Sequence, residues 1–182
     1  MVILINEFSI LLHLLSRKIN NYQMGASKRE IIEKLHITGK NEQVYFHQLI
    51  SNLSKHIEPL GLFIRFNPLD NHWFVSYDLE VSNLVSANPF EDKPKLAATL
   101  FCVLVSCLSN LGKAKIKEIK DLRKKKGVLK DLRKLEELGY INLDREINEV
   151  SLTPLIGYQL DLPQLFTKLS LKLKNNNNRL EK

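Results

Sequence analysis

The chain has 182 residues, of which 44% are hydrophobic and 26% charged, a composition that excludes a fibrous or wholly disordered protein and supplies core for one large or two small domains. Lysine and arginine number 27 against 20 acidic residues, and the excess is lopsided: residues 1–92 hold 8 basic and 10 acidic side chains, so residues 93–182 hold 19 and 10. The second half therefore carries the affinity for acidic partners.

Asn6 is placed to cap a first helix whose apolar residues Phe8, Leu11, Leu12, Leu15 and Ile19 recur at helical spacing. After Met24-Gly25-Ala26, Ser27 and Glu30 form a capping box for a short helix carrying Ile31, Ile32 and Leu35, which Gly39 and Lys40 break. A third helix is predicted from about Asn41 to Lys55, its buried side marked by Val44, Phe46, Leu49, Ile50 and Leu53, and Pro59 and Gly61 stop it. Leu62 to Phe66, the turn Asn67 to Asn71, and Trp73 to Tyr77 then read as a β-hairpin. Helix, helix, helix, hairpin is the winged-helix order, with the hairpin as wing.

The second half repeats that order. Pro94 suits a first helical turn, and Leu96, Leu100, Val103, Leu104, Cys107 and Leu108 form a broad apolar surface ending at Asn110-Leu111-Gly112. Ile116, Ile119 and Leu122 mark a short second helix, and Val128, Leu129, Leu132, Leu135 and Leu138 a third that Gly139 terminates. Tyr140 to Leu143, the turn Asp144 to Asn148, and Val150 to Leu152 form a second hairpin. Beyond it, Leu155 to Leu162 reads as a short strand and Pro163 to Leu173 as an amphipathic helix. The predicted fold is mainly α with small β-hairpin wings (α+β), two tandem winged-helix domains: residues 1–88, residues 89–174 with the C-terminal helix, and a disordered polar tail at 175–182. The joint falls at Ser86 to Lys93, where the charge changes sign.

No constellation of catalytic residues stands out. His13, His36, His47, His56 and His72 are scattered singly, and HExxH, GxSxG and glycine-rich phosphate loops do not occur. Cys102 and Cys107 lie five apart in one apolar run, with neither zinc-ligand nor CxxC spacing, and read as buried thiols. The expectation is a non-enzymatic protein without cofactor or metal. Met1 to Leu15 lacks a basic leader and a cleavage site, and the 13 residues from Leu96 to Leu108 fall short of the roughly 20 that span a bilayer, so a cytoplasmic location without a membrane partner is expected.

The sharpest local feature is a basic cluster of Lys113, Lys115, Lys117, Lys120, Arg123, Lys124, Lys125, Lys126, Lys130, Arg133 and Lys134, with only Glu118, Asp121 and Asp131 between them. It covers the second and third helices of module two, the elements that face a duplex in a nucleic-acid-binding winged helix. Two readings stand side by side. These residues could contact phosphates, giving weak, sequence-independent, salt-sensitive binding to duplex DNA, since no Asn or Gln on the third helix offers base readout. Equally, they could solvate a leucine-rich helix pair, partly neutralised by Glu118, Asp121, Asp131, Glu136 and Glu137. The third helix of module one has no basic residue before Lys55, which points that module towards protein association.

Three stretches resemble the ScpB family, the kleisin-interacting tandem winged-helix (Kite) proteins that accompany SMC ATPases. They are the wing Gly61 to Phe66 with His72 to Val75, the run from Lys93-Pro94-Lys95-Leu96 through Lys115 to Ile119 and Val128 to Ile141, and Thr153-Pro154-Leu155-Ile156-Gly157-Tyr158. The chain departs from the bacterial pattern in Lys124-Lys125-Lys126 and in an acidic second wing, Asp144 to Glu149. The resemblance implies a chromosome-associated homodimer joined mainly through module one, docking onto an ScpA-like kleisin and regulating an SMC ATPase in chromosome condensation and segregation. A kleisin segment needs an apolar groove; Leu100, Val103 and Leu104, with Leu165, Phe166 and Leu169, are its candidate walls, and the same residues equally suit a domain core. The rival readings are a winged-helix transcription regulator and an ESCRT-II-like tandem winged-helix subunit.

Overall fold

The computed structural model describes residues 2–77, 90, 92–110, 112–160, 162 and 167. Two copies of one small module follow each other, each with three helices and a three-stranded antiparallel sheet. The first comprises α1 (Val2–Ser16), β1 (Ala26–Ser27), α2 (Lys28–Lys34), α3 (Glu42–Ile57), β2 (Leu62–Asn67) and β3 (His72–Tyr77), with sheet order β1-β3-β2. The second comprises α4 (Pro94–Ser109), β4 (Lys113–Lys115), α5 (Ile116–Arg123), α6 (Val128–Glu137), β5 (Ile141–Asp144) and β6 (Glu149–Leu152), order β4-β6-β5, followed by α7 (Leu155–Gln159). The fold is α+β and winged-helix in order, as the periodicity predicts.

Each module closes around its own core. Leu11, Leu15, Ile31, Phe46, Leu49 and Leu53 are buried together in the first, and Val103, Leu104, Ile119, Leu132, Leu135 and Val150 in the second. The Ser27 hydroxyl caps α2 by accepting from the Glu30 backbone N–H at 3.2 Å. The Glu30 carboxylate does not return to Ser27, because Arg17 Nη2 holds it at 2.5 Å. Half of the predicted capping box is thus exchanged for an ion pair that ties α2 to the end of α1.

The short strands β1 and β4 are additions that no periodicity could reveal, being two and three residues long. They exist because the return strand of each hairpin has a free edge: Ala26 and Ser27 pair with Trp73 and His72, and Lys113 to Lys115 with Ser151 to Glu149. Other expectations need correction. Helix α1 begins at Val2, so Asn6 lies inside it and caps nothing, and Ile19 lies beyond its end, exposed. Val44 (58% exposed), Leu122 (53%) and Leu129 (45%) face outward, since each helix has room on its inner side for only one row of large side chains. Leu155 to Leu162 is not a strand: Pro154, with φ −58° and ψ −24°, starts the helical turn of α7, and burial of Ile156 holds it. The joint at 86–93, apart from Phe90, Asp92 and Lys93, lies outside the described residues. So do the helix predicted over 163–173, apart from Thr167, and the tail at 175–182.

Candidate nucleic-acid and partner interfaces

The tip of the first wing is locked into the second module. Asn67 is fully buried; its Nδ2 donates to the Pro154 carbonyl at 3.0 Å, and its Oδ1 accepts from the Leu69 N–H at 3.1 Å. Leu69 packs against the core of module two. The Tyr158 hydroxyl lies 2.5 Å from Asp70 Oδ2 and 3.0 Å from the Met24 carbonyl, and its ring meets Phe74 edge-on at 4.8 Å. Asp70 Oδ2 also meets His72 Nδ1 at 2.9 Å, both side chains nearly enclosed. Burial, and then donation to the Asp70 carboxylate, push the Tyr158 hydroxyl far above the usual tyrosine range. Gly157 completes the contact, because a Cβ there would collide with the Asn67 carboxamide.

These joint residues were not found as a site by sequence reasoning. Asn67 and Asp70 read as turn residues and His72 as isolated, and nothing in local spacing links them to Tyr158, 86 to 91 positions away. The Thr153 to Tyr158 segment did attract notice, but only through the resemblance.

In module two the structure distributes the basic cluster unequally. Arg123 turns inward, its Nε donating to Thr99 Oγ1 at 3.3 Å and its Nη2 to the Lys95 carbonyl at 3.4 Å. Lys134 pairs with Glu137 at 2.8 Å. Lys113 lines the cleft under the second wing. Lys115, Lys117, Lys120, Lys124, Lys125, Lys126, Lys130 and Arg133 are exposed and form no ion pair among the described residues. The acidic neighbours expected to neutralise them point elsewhere. Glu118 accepts from Asn110 Nδ2 at 3.0 Å, Asp131 from Thr99 Oγ1 at 2.9 Å, and Glu136 from the Leu143 N–H at 3.2 Å and Arg145 at 3.3 Å. Glu137 is engaged by Lys134, and Asp121 stays exposed among the remaining lysines.

The predicted groove walls Leu100, Val103 and Leu104 are 3%, 0% and 2% exposed. They face Ile119, Leu132 and Leu135 in the core and present no surface to a partner, so their groove role needs correction. The outward face of the same helix is nevertheless apolar: Ala97, Phe101, Val105 and Leu108 follow one another at helical spacing, with Phe101 42% and Leu108 48% exposed. Leu165, Phe166 and Leu169 lie outside the described residues.

On module one, α3 presents Gln43, Val44, Tyr45, His47, Gln48, Ser51 and Asn52 outward. The Tyr45 hydroxyl donates to the Glu7 carboxylate at 2.8 Å, which raises its pKa by favouring the protonated phenol. Among the described residues, no group of three or more His, Cys, Asp or Glu is placed to hold a metal ion, and no helix is long and apolar enough to cross a membrane.

The repeated order of elements and the two three-stranded sheets define a tandem winged-helix protein. No family model and no curated protein matches the chain. Among solved structures, the crystal structure of ScpB from Mycobacterium tuberculosis overlaps 82% of this chain and 88% of its own, at 12% identity and a TM-score of 0.30.

Proposed function

We propose that this chain is a non-enzymatic, cytoplasmic, chromosome-associated subunit that docks onto a kleisin and regulates an SMC complex, as a homodimer joined mainly through module one. The joint carries the reading. The turn of the first wing is packed against module two through Asn67, Leu69 and Asp70, and α3 of module one has no basic face, so module one offers little to a duplex. That arrangement suits a scaffold for protein partners, and it agrees with the likeness of three stretches of sequence to the Kite proteins. The docking surface is the outward row Phe101, Val105 and Leu108, onto which an amphipathic kleisin helix would lay its apolar side.

The test is affinity purification of the tagged full chain from native extract, with identification of what accompanies it. Recovery of a kleisin and an SMC ATPase, lost with Phe101→Glu while the fold is retained, supports the reading. Recovery of other winged-helix subunits without a kleisin would mean an ESCRT-II-like assembly. A sequence-specific footprint on DNA without partners would mean a transcription regulator.

A further inference from the structure

We infer that the outer face of the α5–turn–α6 unit is a binding surface for the backbone of duplex DNA, engaged through helices and turn and not through the second wing. The observation behind this is the withdrawal of acid from that face, on which Asp121 is the one carboxylate left among eight exposed cations. Glu118, Asp131 and Glu136 are bonded to Asn110, Thr99, Leu143 and Arg145, so the lysines beside them are left uncompensated. A merely solvated helix pair would place those carboxylates among the lysines, where each i,i+3 or i,i+4 pair would be slightly favourable.

Geometry adds to charge. Lys117, Lys120 and Lys124 stand at i, i+3 and i+7, on one side of α5 and its C-cap. Lys124 adopts φ +47° and Gly127 φ +92°, two left-handed residues that fold the turn sharply and hold Lys125 and Lys126 outward between the helices. Lys130 and Arg133 continue the charge along α6. Both helices pack their inner sides onto α4 through Ile119, Leu132 and Leu135, so these cations lie on the side away from the core.

The second wing has the opposite sign. Asp144, Glu146 and Glu149 lie on it, and its one cation, Arg145, is engaged with Glu136. Phosphates approaching the helices would be repelled by the wing, which sets the duplex across the helix pair. The major groove of B-DNA admits one of the two helices, with the other lying across the backbone, whereas the deep, narrow major groove of duplex RNA admits neither. With lysine in seven of the eight exposed positions and no Asn or Gln on α6, the contact is one of backbone charge, blind to sequence.

The test uses the purified full chain, so it is independent of kleisin binding. Fluorescence anisotropy with two unrelated DNA duplexes should give equal affinities and a steep inverse dependence on salt. Replacing Lys124, Lys125 and Lys126 by Gln should reduce the slope of log affinity against log salt by up to about 2.7, and weaken binding about eightfold per lost contact at ~0.1 M salt, since each neutralised phosphate contributes roughly 0.9 to that slope. The pair Lys117→Gln/Lys120→Gln, on the helix instead of the turn, should act in the same direction, and melting temperatures show that each variant is folded. Glu146→Gln, which removes part of the repulsion by the wing, should not weaken binding. Absence of binding at low salt, identical slopes for wild type and both lysine variants, or equal binding of duplex RNA would overturn the proposal. Weaker binding by Glu146→Gln would overturn exclusion of the wing.

Discussion

Tyr158 and Asp70, 88 residues apart in sequence, place a phenol oxygen 2.5 Å from a carboxylate oxygen at the seam between the two modules. That bond, with the edge-on stack of Tyr158 on Phe74, makes the first wing part of the second module's surface and joins two separately cored units. Removing the hydroxyl alone leaves the stack and strands the carboxylate with His72 and backbone. Tyr158→Phe should therefore lower stability by about 1.5–3 kcal/mol, the range for a hydrogen bond to a charged group, measured by urea denaturation.

The same seam predicts a non-additive pair. Gly157→Ala drives a methyl into the Asn67 carboxamide and should cost about 1–3 kcal/mol by overpacking. In an Asn67→Ala background the obstruction is gone, so the same Gly157→Ala change should cost close to nothing. A double-mutant cycle in urea measures the coupling, and additive costs would show that the two residues do not meet in solution.

Leu129 and Leu132 separate periodicity from packing. Both belong to the apolar pattern of α6, yet Leu132 is fully buried while Leu129 is 45% exposed. Leu132→Ala should lose about 2–5 kcal/mol through cavity formation, whereas Leu129→Ala should change stability by no more than about 0.5 kcal/mol. Thermal or urea unfolding of the two variants checks the contrast.

Alkaline pH should destabilise the protein through buried acids that stay protonated when folded. Burial, and secondarily Glu118, push the Cys107 thiol up from 9.0 to about 11, and Tyr158 is shifted upward as well. In the unfolded chain these groups release their protons at their ordinary, lower pKa values, so above about pH 9 the folded state binds more protons and stability falls as pH rises. Below that pH they contribute no slope. Unfolding free energies across the alkaline range, compared with Cys107→Ala and Tyr158→Phe, should show the decline reduced in each variant. In native protein, Cys102, which is only partly buried, should react with a thiol reagent before Cys107.

The chain's one-dimensional pattern contained the two modules. Helix periods around Leu11, Leu53, Leu104 and Leu135, the Ser27 cap, Pro94 at a helix start and Gly139 at a helix end all depend on interactions within a few residues, which is why they are legible without a fold. The basic cluster was equally plain as composition. Its free charge was not: whether Glu118, Asp131 and Glu136 neutralise the lysines depended on Asn110, Thr99 and Arg145, each of which lies outside the helix of the carboxylate it engages. The seam was the least legible part. Asn67, Asp70, His72, Gly157 and Tyr158 acquire their role only when the hairpin turn and α7 meet, and a contact across almost ninety residues leaves no trace in the spacing of either segment. Local periodicity records which side of an element is apolar; only close packing of the finished modules decides which polar groups find each other and which are left to solvent.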